Sequence, residues 1–177
     1  MRIDLFSVPI FINNIDSSKI IVESKIIKKN WNSETNSSYG NENFISKESS
    51  KYLFDIINES LMDFIKNDYK IELVNIWENF YNLNDFQEKH IHVRSDFSFV
   101  IYKKINESKT IFFSPNNYLI ASFYENKFLQ NYFKTEFQPR LKENHIIIFP
   151  SFLEHMVKRN ENENITISGN ILINKLS

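Results

Sequence analysis

The chain contains no cysteine. No disulfide can brace this fold, and no thiolate can act as nucleophile or metal ligand. Glycine is nearly as scarce, with only Gly40 and Gly169 present. That excludes a Gly-rich phosphate loop, and with it the P-loop and dinucleotide-binding readings. Turns must instead lean on Asn and Asp, which tolerate left-handed backbone better than other side chains. No apolar run approaches the ~20 residues that cross a bilayer. Residues 1–12 carry one arginine, an acid at Asp4 and no long apolar core, so they do not read as a signal peptide. Charge of either sign is never concentrated, and the net value is −1. Nothing argues for a nucleic-acid surface or a charged tail. A cytoplasmic compartment is the default expectation.

What remains is a chain of 177 residues, 42% hydrophobic and 24% charged. That fits one soluble globular domain over residues 1–177 with a core of its own. Residues 5–12 (Leu5-Phe6-Ser7-Val8-Pro9-Ile10-Phe11-Ile12) predict a short edge strand, where proline is tolerated. Residues 15–29 are compatible with a helix capped by Asp16 or Ser17, and a turn is expected near Gly40. Residues 46–67 give the clearest helix, because Leu53, Ile57, Leu61 and Phe64 form an apolar stripe at 3–4 spacing. Phe54 and Ile65 lie beside that stripe. Helical support is thus expected over about 15–67 and a barrel over about 69–173. In residues 69–81, Ile71, Leu73, Asn75, Trp77, Asn79 and Tyr81 are expected to share one face. Further strands are expected over 97–105, 110–113, 118–124, 128–137, 146–149, 156–158 and 164–173. Helices first and about eight short strands after them predict an α+β, mainly β chain built as a sandwich or barrel.

The chemistry concentrates in histidine. Glu88-Lys89-His90-Ile91-His92 places two imidazoles two residues apart, on one side of a strand. His155 follows the run Ile146-Ile147-Ile148-Phe149-Pro150-Ser151, just past a turn. Two close ligands and one distant ligand can hold a single iron, copper, zinc or nickel ion. The third ligand is His155 or, alternatively, Asp96, which would complete a two-His-one-carboxylate set. His145 opens the Ile146 strand and reads as a surface residue or as one standing behind the ligands.

Trp77-Glu78-Asn79-Phe80-Tyr81, the His-x-His pair, Ser95-Asp96-Phe97-Ser98-Phe99-Val100-Ile101-Tyr102, the Phe149-Pro150-Ser151-Phe152-Leu153-Glu154-His155 turn and Ile165-Thr166-Ile167-Ser168-Gly169-Asn170 form a wider pattern. It resembles the small 2-oxoglutarate- and Fe(II)-dependent oxygenases of bacteria and tailed phages, marine phages especially. The resemblance covers about 70–173, and the Leu5-Phe6-Ser7-Val8-Pro9-Ile10 segment also fits. It implies a double-stranded β-helix, a jelly-roll or cupin-like barrel flanked by helices, acting as an oxidoreductase of the dioxygenase class. It implies Fe(II) held by His and by His or carboxylate, here His90, His92 and His155 with Asp96 as the alternative ligand, and 2-oxoglutarate beside it. It further implies that Asn79, Tyr81, Tyr102 and Thr166 line the cosubstrate pocket, and that the host cell is bacterial or phage-infected.

One departure stands out. Where the family usually carries an arginine opening the last strand, this chain has Asn164. A neutral amide cannot form the forked pair that arginine makes with a carboxylate. Lys104 and Arg159 are the candidate substitute cations. The competing readings are a three-His cupin-like metalloprotein, or a binding protein that has lost 2-oxoglutarate use; a structural phage accessory factor is a third. The substrate, small molecule or protein side chain, leaves no signature. The aromatic stretch 123–137 is a candidate lid or homodimer face.

Overall fold

The computed structural model describes residues 7–25, 27–28, 35–65, 68–123 and 133–176. Before the barrel come β1 (Phe11–Asn14), a 3-10 turn (Ser17–Lys19), β2 (Val22–Glu23), β3 (Ile27–Lys28), β4 (Asn36–Ser37), β5 (Phe44–Ile45) and helix α1 (Lys47–Leu61). Then follow β6 (Tyr69–Tyr81), β7 (Gln87–His90), β8 (Phe97–Lys104), β9 (Thr110–Phe113) and helix α2 (Asn117–Phe123). The chain closes with β10 (Glu136–Phe137), β11 (His145–Pro150), β12 (His155–Val157) and β13 (Asn164–Lys175).

A seven-stranded sheet runs β1-β11-β8-β13-β6-β4-β3, and a four-stranded sheet runs β10-β9-β12-β7. All the ladders in both are antiparallel. The larger sheet is covered on both faces. On one, Leu53, Ile57 and Leu61 of α1 pack with Ile15, Ile20, Ile76, Phe97, Phe99, Ile101, Ile146, Ile148, Ile167 and Ile171. On the other, Tyr102, Ile147 and Phe149 meet Phe112 of the smaller sheet, with Ile105, Leu141 and Leu153 around them. This explains why Ile146-Ile147-Ile148-Phe149 does not alternate: all four are fully buried, as expected for a strand sandwiched between two layers.

Both glycines have a reason. Gly40 sits at φ 83° in the expected turn, where a side chain would be strained. Gly169 lies on β13 against the ring of Phe99, and an added Cβ would meet the Asn75 carbonyl oxygen at 2.8 Å as well as that ring. Asn84 and Asn144 take positive φ, as expected for a glycine-poor chain, and so does Arg94.

Several expectations need correction. Residues 15–25 and 27–28 form no α-helix, and residues 26 and 29 of that expected helix lie outside the described set. Asp16 caps only the 3-10 turn, accepting from the Ser18 amide, and the following Ile20-Ile21-Val22 run leads into β2. β-Branched side chains favour that choice. The edge strand is present, but as Phe11–Asn14 rather than 5–12; residues 5 and 6 lie outside the described set. The stripe of α1 ends at Leu61, and Phe64 lies beyond it, largely exposed and edge-on to Phe97. Of the expected strand 118–124, residues 118–123 are helical instead, and residue 124 lies outside the described set. The Ser114 carbonyl accepts from the Asn117 amide to open that turn, and Tyr118 and Leu119 are exposed rather than paired. Within the expected strand 128–137, only Glu136–Phe137 is a strand, and residues 128–132 lie outside the described set.

β6 has the expected limits but not one uniform face. Its pairing with β13 skips Val74, since Asn170 faces Asn75 and Ile171 faces Leu73. That bulge reverses the alternation. Ile71 and Leu73 therefore pack on the helix side together with Ile76, while Trp77, Asn79 and Tyr81 turn toward the space between the sheets.

Candidate functional site

Three imidazoles converge between the two sheets. The ligating nitrogens of His90, His92 and His155 all lie within 4.8 Å of one another. His90 ends β7 and pairs directly across the ladder with His155 at the start of β12. His92 lies past the end of β7 rather than on it. Its amide donates to the Ser151 carbonyl at 2.9 Å. Ser151 is also bonded through its hydroxyl to Ser95 and Ser98. The Phe-Pro-Ser turn thereby pins the His-x-His segment to the end of β11, and brings the distant histidine to the close pair.

Each ring is held by a second partner. The Nδ1–H of His90 donates to the Glu88 carbonyl at 2.6 Å, and that of His155 to the Leu153 carbonyl at 2.9 Å. These bonds leave Nε2 of both rings as a lone-pair donor. The side chain of Asn170 hydrogen-bonds His92 and accepts from Ser98 Oγ at 2.8 Å. Trp77 stacks on His92 at 5.8 Å between ring centroids, and Phe149 stands edge-on to His155 at 4.8 Å.

Burial keeps the trio neutral. It holds His155 well below the ordinary histidine value, with the charges of His90 and His92 adding to the effect. His92 is pushed down to about 4, first by burial and then by His90, with the bond from Asn170 opposing. His90 is lowered by burial against its bond to Glu88. Neutral imidazole is the form that binds metal. The Nε2 atoms of His92 and His155 lie 3.2 Å apart. Two nitrogens at ~2.1 Å from one ion, at right-angled to tetrahedral separation, would lie roughly 3.0–3.4 Å apart. The donor set therefore fits one first-row divalent ion.

Two cavities meet at the histidines. A polar one of about 40 Å³ runs between the sheets, lined by Asn79, Tyr81, Tyr102, Thr110, Asn164 and Thr166 among others. Tyr81 donates to Gln87 Oε1 at 2.9 Å, and Tyr102 shares a 2.8 Å bond with Thr110 Oγ1. Burial raises both phenols above their ordinary value, with Tyr102 and Asp85 adding for Tyr81. Asn79 donates to Thr166 and Ser168 and accepts from Ser37 Oγ. A wider cavity of about 500 Å³ opens on the other side, lined by Tyr39, Val74, Trp77, Ile91, Val93 and Arg94 besides His90 and His92.

The sequence placed Asn79, Tyr81, Tyr102, Asn164 and Thr166 at this site, and all five line the narrow cavity. Three other candidates are elsewhere. Asp96 is not near the trio; its carboxylate accepts from the Ile173 amide at 2.7 Å and ties β8 to β13. Lys104 is exposed and paired with Glu163 at 3.2 Å, because a register shift beside Ile165 breaks the strand parity that would have turned it inward. Arg159 is also exposed, lying over the Phe86 ring and bonded to the Asn84 carbonyl. His145 sits at a surface turn, accepting from the Lys142 amide. The residue missed is Lys109, the one lysine or arginine among the described residues lining the narrow cavity. It precedes β9 in an irregular loop, where no periodicity could have shown its direction.

Residues 75–170, more than half of the chain, match the sequence family described as "Putative 2OG-Fe(II) oxygenase". No curated protein sequence matches. Among solved structures, the chain is similar to an oxidoreductase of the 2OG-Fe(II) oxygenase family from Burkholderia pseudomallei. That likeness has a TM-score of 0.57 at 9% identity, over 85% of this chain and 73% of the other. It is also similar to a Trichoplax adhaerens prolyl hydroxylase solved with a hypoxia inducible factor peptide fragment, at TM-score 0.57 and 14% identity over 92% and 83%. HygX from Streptomyces hygroscopicus, with nickel, 2-oxoglutarate and hygromycin B bound, gives TM-score 0.55 at 7% identity over 93% and 82%. At such identities the likeness concerns the fold, which is the double-stranded β-helix.

Proposed function

The chain belongs to the 2OG-Fe(II) oxygenase family, and from that premise we propose that His90, His92 and His155 hold its Fe(II), that 2-oxoglutarate occupies the narrow polar cavity, and that a substrate is hydroxylated from the wider one. The observation that carries this reading is the convergence of three neutral imidazoles at the junction of the two cavities. The enzyme is an oxidoreductase whose cofactors are Fe(II) and 2-oxoglutarate. When bound, they supply oxidation by dioxygen coupled to decarboxylation of the keto acid to succinate.

The chain's own residues supply position and environment. Glu88 and Leu153 carbonyls and the Asn170 amide orient the three rings. Three neutral imidazoles leave an ion's charge uncompensated, which favours an anionic keto acid as the next ligand. Tyr81 and Tyr102 keep their protons and stand as hydroxyl donors in the cavity wall. Trp77, Phe112 and Phe149 pack against the rings and shield them from bulk water, which suits a site that handles a reactive oxidant. Among the described residues no helix is long and apolar enough to cross a membrane.

Anaerobic titration with Fe(II) and then 2-oxoglutarate tests the reading. A visible charge-transfer band and, on admission of oxygen, succinate formation are expected. Absence of both would overturn it.

A further inference from the structure

The wider cavity is built for a ligand of a particular kind. Its volume, about 500 Å³, lies within the roughly 300–1,000 Å³ that small-molecule sites occupy. Much of its wall is apolar. Trp77 and Tyr39 meet edge to face at 4.9 Å between ring centroids. Val74, Ile91 and Val93 stand exposed along the same lining. Exposed aliphatic side chains gathered around one cavity mark a binding surface, whereas single ones scattered over a protein do not. Charge in this wall is sparse and of one sign. The described lining holds no carboxylate side chain, and its single lysine or arginine is Arg94.

The backbone singles out the same residue. Arg94 lies at φ 62°, in the left-handed region, and the other non-glycine residues there are Asn84 and Asn144. Asparagine tolerates that conformation far better than a long side chain does, and strain of this kind collects at ligand clamps. The segment is fixed on both sides of Arg94. The His92 amide donates to the Ser151 carbonyl, and the Ser151 amide donates to the Asp96 carbonyl, both at 2.9 Å. Arg94 is therefore carried at the tip of a loop clasped by one serine. No carboxylate among the described residues forms an ion pair with it. The acid nearest in sequence, Asp96, accepts from the Ile173 amide instead. A guanidinium so placed is a forked donor without an acceptor, the geometry that suits a carboxylate.

Resting on the site reading above, we propose that the substrate is a small organic acid with a predominantly apolar body, its carboxylate held by Arg94 and its body laid against Trp77, Val74, Ile91 and Val93. Two residues span at most about 7 Å of chain, so Arg94 holds the acid group close to His92. Trp77 stacks on His92, and the carbons resting on Trp77 are the ones beside the histidines. Arg94 determines specificity for the substrate and not for the cosubstrate, because it lines the wider cavity and not the narrow one.

Calorimetry on the protein loaded with Ni(II) and 2-oxoglutarate tests this with two matched pairs of probes. They are 4-phenylbutyrate with 4-phenylbutyramide, and hexanoate with hexanamide; each pair differs in charge but scarcely in shape. At least one acid is expected to bind ~10- to 100-fold more tightly than its amide, the range for hydrogen bonds to a charged group. Arg94→Gln should erase that difference and Arg94→Lys should retain part of it. Both should keep the metal and 2-oxoglutarate affinities of the unaltered protein. Arg94→Gly suits the left-handed backbone and should behave as Arg94→Gln does, which separates lost recognition from misfolding. If neither acid outbinds its amide, or if Arg94→Gln keeps the difference, the inference falls while the site reading stands. If Arg94→Gln weakens 2-oxoglutarate instead, Arg94 serves the cosubstrate and the inference again falls. If the unaltered protein takes up neither metal nor 2-oxoglutarate, the site reading falls and the inference with it.

Discussion

His92 and His155 face each other with ring planes 3° from parallel and Nε2 atoms 3.2 Å apart. Since His155 Nδ1 donates to a carbonyl, its Nε2 points a lone pair at its neighbour. The same 3.2 Å suits a hydrogen bond from the His92 Nε2–H in the metal-free protein and two ligands on one ion in the loaded one. Replacing either ring by alanine should abolish stoichiometric metal binding. The loss should exceed the ~10- to 100-fold that follows from changing only a residue behind a ligand. Metal analysis after equilibrium dialysis reads this directly, and full metal retention by His155→Ala would refute the ligand assignment.

Asn170 offers a graded counterpart. It orients His92 and also satisfies Ser98. Asn170→Ala should keep all three ligands yet lower metal affinity or turnover by ~10- to 100-fold. Competition with a chromophoric chelator measures the affinity. An unchanged value would mean that Trp77 stacking alone fixes the ring.

The metal-free protein should lose stability as pH falls. The folded state holds these histidines below the ordinary value, His92 at about 4, whereas the unfolded chain titrates near ~6.5. Between those values the unfolded state binds more protons, so protonation drives unfolding. Above ~6.5 neither state is protonated and the three groups contribute no pH dependence. Thermal melts of chelator-treated protein should therefore show a falling Tm from about pH 6.5 toward 4, with His92→Gln giving a shallower slope. A flat profile in the unaltered protein would contradict the burial of the trio.

Gly169 should resist even alanine. The added methyl would press on Phe99 and on the Asn75 carbonyl, one a fully buried ring and the other backbone. Neither gives way cheaply, so Gly169→Ala should cost about 1–3 kcal/mol through overpacking. Denaturant melts measure it, and a neutral result would mean that Phe99 can repack.

Truncating the docked face of α1 should cost more. Leu53 and Ile57 are fully buried against the large sheet. Either change to alanine is expected to remove about 2–5 kcal/mol, measurable by the same melts. A loss below ~1 kcal/mol would imply that the helix is dispensable to the barrel.

The sequence by itself determined the class of fold, the histidine trio and part of the cavity wall. The reason is that those signals are local. A 3–4 stripe marks α1, a continuous apolar run marks β11, and spacing by two sets a pair of imidazoles near each other. Asn79, Tyr81, Tyr102 and Thr166 were legible through the family resemblance, and the long strands keep their parity through those stretches. Where parity failed, reading failed: the bulge at Val74 divided β6 into two faces, and the shift beside Ile165 left Lys104 outside. Residues 15–29 and 117–123 were misread because short segments carry too few residues for a period to declare itself. Only the tertiary structure decided the rest. It brought Ser151 against His92, turned Asp96 toward Ile173, and set Lys109 in the lining of a cavity that also holds the unpartnered Asn164 side-chain carbonyl. Those placements depend on how loops from distant strands meet, and no spacing along the chain encodes that.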